Sequence, residues 1–145
     1  MRRYGSPPVP GVTYTDRPGA YGIIRHGRDI LITEQTDPFP EFQLPGGGID
    51  QGENAITALH REAYEETGWS VAIERKLGAF VRFTYMPEYD LCARKICHIY
   101  MCTAVLQKSE PLEPGHTAVW MSPSTAAQQV GNPGDRAFIS ALRLR

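Results

Sequence analysis

Three glutamates crowd the end of the segment best suited to form a helix. From Asn54 to Thr67 the chain holds neither proline nor glycine, and Gly68 follows at once. A glycine just past such a run stops a helix, because it enters the left-handed region without a Cβ clash. With successive residues about 100° apart, Ile56, Leu59 and Ala63 fall on one apolar arc. Glu62, Glu65 and Glu66 fall on the neighbouring arc with Ala55 and Ala58, while Thr57, His60 and Tyr64 face away. The helix is expected to pack one edge on a core and to present three carboxylates beside it. That arrangement is costly. Glu62 and Glu66 are like charges at i,i+4 and repel by roughly 0.2–0.5 kcal/mol. Negative charge in the last turn also opposes the helix dipole, at about 0.3–1 kcal/mol per charge. Arg61, four residues before Glu65, offsets part of this. A solvated acidic face is the plainer explanation, but all three carboxylates border the buried edge. A divalent cation would resolve the conflict, and hard carboxylate oxygens suit Mg2+ or Mn2+.

The spacing continues upstream. Gly47, Glu53, Arg61, Glu62, Glu65, Glu66 and Gly68 stand in the frame G-x5-E-x7-R-E-U-x-E-E-x-G-U, with Ala63 and Trp69 at the two U positions. All seven fixed positions of the Nudix box are filled, and from about Tyr21 to Trp120 the chain resembles the Nudix hydrolases, the MutT-like pyrophosphohydrolases. The resemblance implies an αβα sandwich with a mixed β-sheet. It implies hydrolysis of a phosphoanhydride in a nucleoside diphosphate linked to another group, with Mg2+ (or Mn2+) as cofactor. Glu62, Glu65 and Glu66 would ligate the metal, with the Gly47 carbonyl as a further ligand. Arg61 would hold the glutamates by charge-assisted hydrogen bonds. Glu53 either reaches a metal through water or complements the helix dipole. The general base is either Glu62 or a glutamate on a late loop, where Glu113 and Glu110 are candidates and His116 a further one.

Length and charge narrow the field. A chain of 145 residues fits one domain with a real core. Its net charge of −1 implies no bulk attraction to nucleic acid or anionic membrane. No apolar run of roughly eighteen residues exists, and the N-terminus MRRYGSPPVPG lacks the apolar centre of a signal peptide. A cytoplasmic location is the resulting expectation. Cys92, Cys97 and Cys102 are spaced five apart, which fits neither CxxC nor a zinc knuckle. They read as buried free thiols.

Residues 1–19 hold Pro7, Pro8, Pro10 and Pro18 without a period and read as an arm; residues 20–145 form the single domain. Gly22–Arg25 and Asp29–Glu34 read as a hairpin about His26-Gly27-Arg28, Asp37–Pro40 as a loop, and Phe42–Leu44 as a short strand entering the glycines. Val71–Arg75 and Leu77–Tyr85 read as strands, with Gly78 at a bulge. Lys95–Leu106 is apolar on both faces, the mark of a strand covered on both sides. Thr117–Met121 reads as a strand, and Ser122–Val130 and Gly134–Leu144 as helices. This order gives helices sandwiching a mixed sheet. The arm, apolar at Tyr4, Val9, Val12 and Tyr14, is expected to lie against the sheet edge or a second subunit, a homodimer being the favoured setting.

Substrate selection lies outside the box. Arg25, Arg28, Arg82, Arg94 and Lys95 are available to phosphates, and Phe80, Phe83, Tyr85 and Tyr89 to a base. Arg82 and Tyr85 are the substrate-binding candidates. A tyrosine near position 85 also resembles the dinucleoside polyphosphate hydrolases of the family, whereas the proline marker of its ADP-ribose hydrolases is off register at Pro87. A ligand-binding module that has lost catalysis is the competing class; such modules typically lose a box glutamate, and here each is retained. The expected partner is a small nucleotide-type diphosphate.

Overall fold

The computed structural model describes residues 1–36 and 39–142. The start of the expected Asp37–Pro40 loop and the end of the expected final helix fall outside these residues. Eight strands and three α-helices are described, with one short 3-10 turn at Pro87–Tyr89. Strands β1 (Arg2–Arg3), β2 (Thr15–His26), β3 (Asp29–Gln35), β4 (Glu41–Gln43) and β5 (Gly46–Gly48) precede helix α1 (Ala55–Thr67). Then come β6 (Trp69–Met86), β7 (Leu91–Gln107), β8 (His116–Met121), α2 (Pro123–Gln129) and α3 (Pro133–Ser140). The sheet runs β1-β6-β7-β2-β3-β4, with β5 also on β2 and β8 also on β3. β2–β7 and β1–β6 are parallel and the other pairings antiparallel, so the sheet is mixed.

Side-chain alternation on the central strands divides the core in two. Ile23, Ile30, Ile32, Cys97, Ile99 and Met101 point to one face and meet Ala126, Val130 and Ile139 from α2 and α3. Their neighbours Ile24, Leu31, Tyr100 and Cys102 point to the other face and meet Leu59 and Ala63 from α1. A strand with both faces apolar must be covered twice, and the αβα sandwich is how this chain does it. Cys97 and Cys102 lie on opposite faces, which separates the thiols; burial pushes both up to about 12, so they behave as apolar groups. Cys92 is free and half-buried.

Four details differ from the sequence reading. The segment after α1 is one strand of 18 residues, and the apparent breaks are register shifts, one falling between Lys76 and Gly78. β7 starts at Leu91, and its far end outruns the core, leaving Val105 and Leu106 more than half exposed. Ile56 is 41 % exposed although helical period places it on the inward arc; burial on α1 begins half a turn later, at Ala58. Residues 15–19 belong to β2, in register with Ala93–Cys97. Pro18 is tolerated there because it is used as an acceptor only, its carbonyl receiving the Ile49 N–H at 3.0 Å.

The N-terminal segment lies on the sheet edge of its own chain. Arg2 and Arg3 pair with Phe80 and Val81, and the Tyr4 N–H donates to the Val81 carbonyl at 3.0 Å. The Tyr4 ring meets Phe80 edge-on at 5.5 Å, and Tyr14 meets Phe83 at 4.9 Å. Tyr4→Ala should therefore lower unfolding free energy by about 1–2 kcal/mol, read as a lower urea midpoint at constant slope. An unchanged midpoint would mean the edge strand contributes nothing.

Asp135 makes the second stability prediction. It is buried, and its Oδ2 accepts the Leu44 N–H at 3.2 Å. Burial raises its carboxyl to about 7, against pulls downward from the Leu44 N–H, Arg82 and Lys95. Its folded pKa exceeds its unfolded one, so its contribution is fully present below about pH 4 and is lost as pH rises through 7. Asp135→Asn, which keeps an acceptor for Leu44, should flatten the pH dependence of the melting temperature between those limits. A slope equal to that of the parent would sink this assignment.

Candidate active site

Local chemistry sets α1 in place. Asn54 caps it, accepting the Thr57 N–H at 2.8 Å. Gly68 ends it at φ 77°, donating to the Tyr64 carbonyl at 2.8 Å. No basic residue stands in the last turn, so the glutamates there depend on groups elsewhere. Arg61 is the chief of these. Its Nε and Nη2 grip both oxygens of Glu53 at 2.9 Å, and Nη1 reaches Glu62 at 3.0 Å and Glu65 at 3.4 Å. Nη2 also meets the Gly48 carbonyl at 3.2 Å and Asp50 at 3.3 Å. The hydrogen bonds from Arg61 draw Glu53 down to about 2. Glu53 is thus a counterweight to Arg61, a role beside the two weighed from sequence.

The glycine strand closes the other side. β5 pairs with Gly19–Tyr21 of β2 and passes directly over α1. The Gly46 N–H donates to Glu66 Oε2 at 2.9 Å. A Cβ on Gly47 would come within 2.6 Å of the Glu62 carboxyl carbon; only glycine lets this backbone approach the glutamates. Glu66 is almost wholly buried, and desolvation holds its carboxyl well above the usual range despite the Gly46 N–H. Burial also raises Glu62, with Arg61 opposing.

A late loop supplies the remaining groups. Exposed carbonyls at the end of α1 capture it: Glu65 accepts the N–H groups of Leu112 and Glu113 at 2.8 and 3.0 Å, and Gly68 accepts those of Lys108 and Ser109 at 2.9 and 3.3 Å. Glu113 is thereby carried to the box glutamates. His116, first residue of β8, lies with Nε2 3.7 Å from Glu66 Oε1 and Nδ1 3.8 Å from Glu113 Oε2. Two sets of donor atoms gather within 4.8 Å, Glu66–Glu113–His116 and Glu62–Glu65–Glu113. Carboxylates massed around an enclosed nitrogen with no hydrogen-bond partner, His116 Nδ1, fit a divalent cation in charge and in donor type.

All of these groups but Glu65 line a cleft of about 360 Å3. Arg17 and Lys95 line it too, with Tyr21, Gln43, Met86 and Tyr89. Arg17 stacks over the Tyr89 ring at 4.7 Å. Burial raises the pKa of the Tyr21 hydroxyl, which stays protonated. Gly47, Glu62, Glu66, Glu113 and His116 all line this cleft. Arg82 and Tyr85 do not. Arg82 borders a small cavity beside Asp135, and Tyr85 donates to Asp90 at 2.6 Å on an apolar groove under the N-terminal segment. Arg25 and Arg94 are paired with Glu74 and Asp16, and Glu110 lines a separate depression. Arg17, Tyr21, Gln35 and Gln43 were not singled out from sequence. Strands far apart in the chain bring them together, and no motif surrounds them.

Comparison with known proteins bears on the family and the fold. The NUDIX domain family model matches residues 15–142. A putative 8-oxo-dGTP diphosphatase of Bacillus subtilis is 38% identical over 74 residues, which is 50% of this chain and 49% of that protein. An RNA pyrophosphohydrolase of Agrobacterium fabrum is 38% identical over 72 residues, 48% and 42% of the two chains. The chain thus spans about half the length of the curated relatives it matches, or less. Among solved structures, a NUDIX hydrolase from Nitrosomonas europaea superposes with a TM-score of 0.70 at 20% identity, over 87% of each chain. A MutT protein from Methanosarcina mazei gives 0.70 at 19% identity, over 90% of this chain and 94% of that one. The box, the sandwich and a family match across residues 15–142 agree: the chain belongs to the NUDIX domain family.

Proposed function

We propose that this protein hydrolyses a phosphoanhydride bond in a nucleoside diphosphate linked to another group, using Mg2+ or Mn2+. The observation that carries the proposal is the polarity of the cleft. Carboxylates from α1 and the late loop line the same cleft as Arg17 and Lys95. A diphosphate in that cleft would meet these two cations and, where a divalent ion occupies the carboxylates, the metal as well. Glu62, Glu65, Glu66 and the Gly47 carbonyl are the proposed metal ligands. When bound, the ion neutralises phosphate charge and lowers the pKa of water. Arg17 and Lys95 orient the phosphates, and the exposed Tyr89 ring offers a surface to the base or to the group linked to it. Glu113 takes the proton from the attacking water. Arg61 touches no reacting atom in this scheme; it positions Glu62 and Glu65. A catalytically inert binding module has less support, because each box glutamate is present and engaged. Because relatives bear the names 8-oxo-dGTP diphosphatase and RNA pyrophosphohydrolase, 8-oxo-dGTP and RNA join nucleoside triphosphates, dinucleoside polyphosphates, ADP-ribose, NADH and sugar nucleotides as the substrates to assay. Phosphate release from such a panel, with Mg2+ or Mn2+, identifies the substrate; no release from any member would favour the binding module.

Glu66→Gln tests the metal role. Turnover should fall by at least about 10^2-fold. The metal-free variant should be as stable as its parent at pH 8 or more so. Because the folded pKa of Glu66 is raised, its contribution is present at acid pH and lost as pH rises, and glutamine removes that loss while keeping an acceptor for Gly46. A deficit of several kcal/mol in the metal-free variant would make Glu66 structural instead.

Glu113→Gln tests the base. A base acts only when deprotonated, so kcat declines as pH falls below its pKa. The variant should lose about 10^2–10^4 in kcat and also lose that acid limb. Near-parental activity with the limb intact would transfer the role to Glu62.

A further inference from the structure

Resting on that reading of the site, we propose that His116 is a nitrogen ligand to the divalent cation through Nε2, sharing it with Glu66 while its Nδ1–H is turned toward Glu113, and that it biases the site toward Mn2+ over Mg2+. The imidazole stands between two carboxylates, with Nε2 3.7 Å from Glu66 Oε1 and Nδ1 3.8 Å from Glu113 Oε2. Both separations are too long for hydrogen bonds. A neutral imidazole has one N–H, so it can serve one of these glutamates and must turn a lone pair toward the other. Nδ1 is enclosed and has no hydrogen-bond partner. A lone pair facing an ionised carboxylate inside the protein is repulsive, and a cation between them removes that repulsion. The spacing suits that arrangement, since two donors about 2.0–2.2 Å from a common ion lie roughly 3–4 Å apart.

The surrounding bonds hold the three groups to this point. Gly46 occupies Glu66 Oε2, leaving Oε1 as the oxygen that faces the ring. The backbone of Glu113 is tied to the end of α1 through the Glu65 carbonyl. His116 is fixed in β8 by its pairing with Gln35. Oε2 of Glu113 faces the ring, so its other oxygen remains for the proton transfer assigned above. A ligating histidine commonly gives its second N–H to a carboxylate, and here a second carboxylate is already in place. Nitrogen donors suit softer first-row ions better than Mg2+, which prefers oxygen throughout.

Electron spin-echo spectroscopy of the Mn2+-loaded chain tests the ligand without reference to activity. A nitrogen modulation should appear and should change when only the histidines carry 15N. In titration calorimetry, His116→Gln should weaken Mn2+ binding by about 10-fold or more and Mg2+ binding by less than about 3-fold. Mn2+ bound without nitrogen coupling would overturn the role of His116 and leave the metal reading of the box intact. Failure of the parent chain to bind Mn2+ at all would overturn both. The spin-echo result needs only the parent chain, so it stands even if the variant fails to fold.

Discussion

Mutual repulsion among Glu62, Glu65 and Glu66, at the end of a helix whose dipole also opposes them, is the constraint around which the site is organised. The chain answers it with one guanidinium and one backbone N–H. Arg61 spreads its donors over Glu53, Glu62 and Glu65. Gly46 serves Glu66, which Arg61 does not contact in the hydrogen-bond pattern. The helical pair Arg61–Glu65 alone would contribute little, about 0.3–0.5 kcal/mol. The partly buried fork onto Glu53 is worth more as geometry than as energy, because it fixes the plane of the guanidinium. Burial raises the carboxyl pKa of both Glu62 and Glu66, so their ionised forms call for positive charge beyond what Arg61 and Gly46 supply. A site left short of positive charge is one that a cation completes.

Helix ends ordinarily leave carbonyls without partners. Here the Glu65 and Gly68 carbonyls take N–H groups from residues 108–113, so the end of α1 becomes the anchor of the late loop. The left-handed turn at Gly68 makes this docking close: a Cβ there would collide with the Ser109 carbonyl. Gly68 therefore stops the helix and also admits the loop that carries Glu113. This links a local signal, a glycine after a periodic run, to a contact some 45 residues away in the chain.

The basic residues of the cleft have another origin. Arg17 lies early in β2 and Lys95 at the matching place in β7, and the two are direct partners in the parallel ladder. Parallel pairing of β2 with β7 thus sets two cations side by side in the lining of the cleft that Glu62, Glu66 and Glu113 also line. Tyr89 joins them from the short 3-10 turn Pro87–Tyr89 that connects β6 to β7.

Sequence alone determined the helix, its stop at Gly68 and the identity of the box residues. Each of these is written within about one helical turn of the residue concerned, where spacing and propensity speak directly. The double-faced pattern of β7 also announced a sheet covered on both sides. Tertiary structure decided what depends on registry between distant strands. It placed Arg17 rather than Arg82 at the cleft, turned Tyr85 toward Asp90, and drew His116 between Glu66 and Glu113. It also buried Glu66 while leaving Glu65 partly exposed, a difference that two adjacent identical residues cannot show in sequence. Composition and period report which face a residue occupies; the parallel ladder of β2 on β7 and the docking of residues 108–113 onto α1 determine what that face meets.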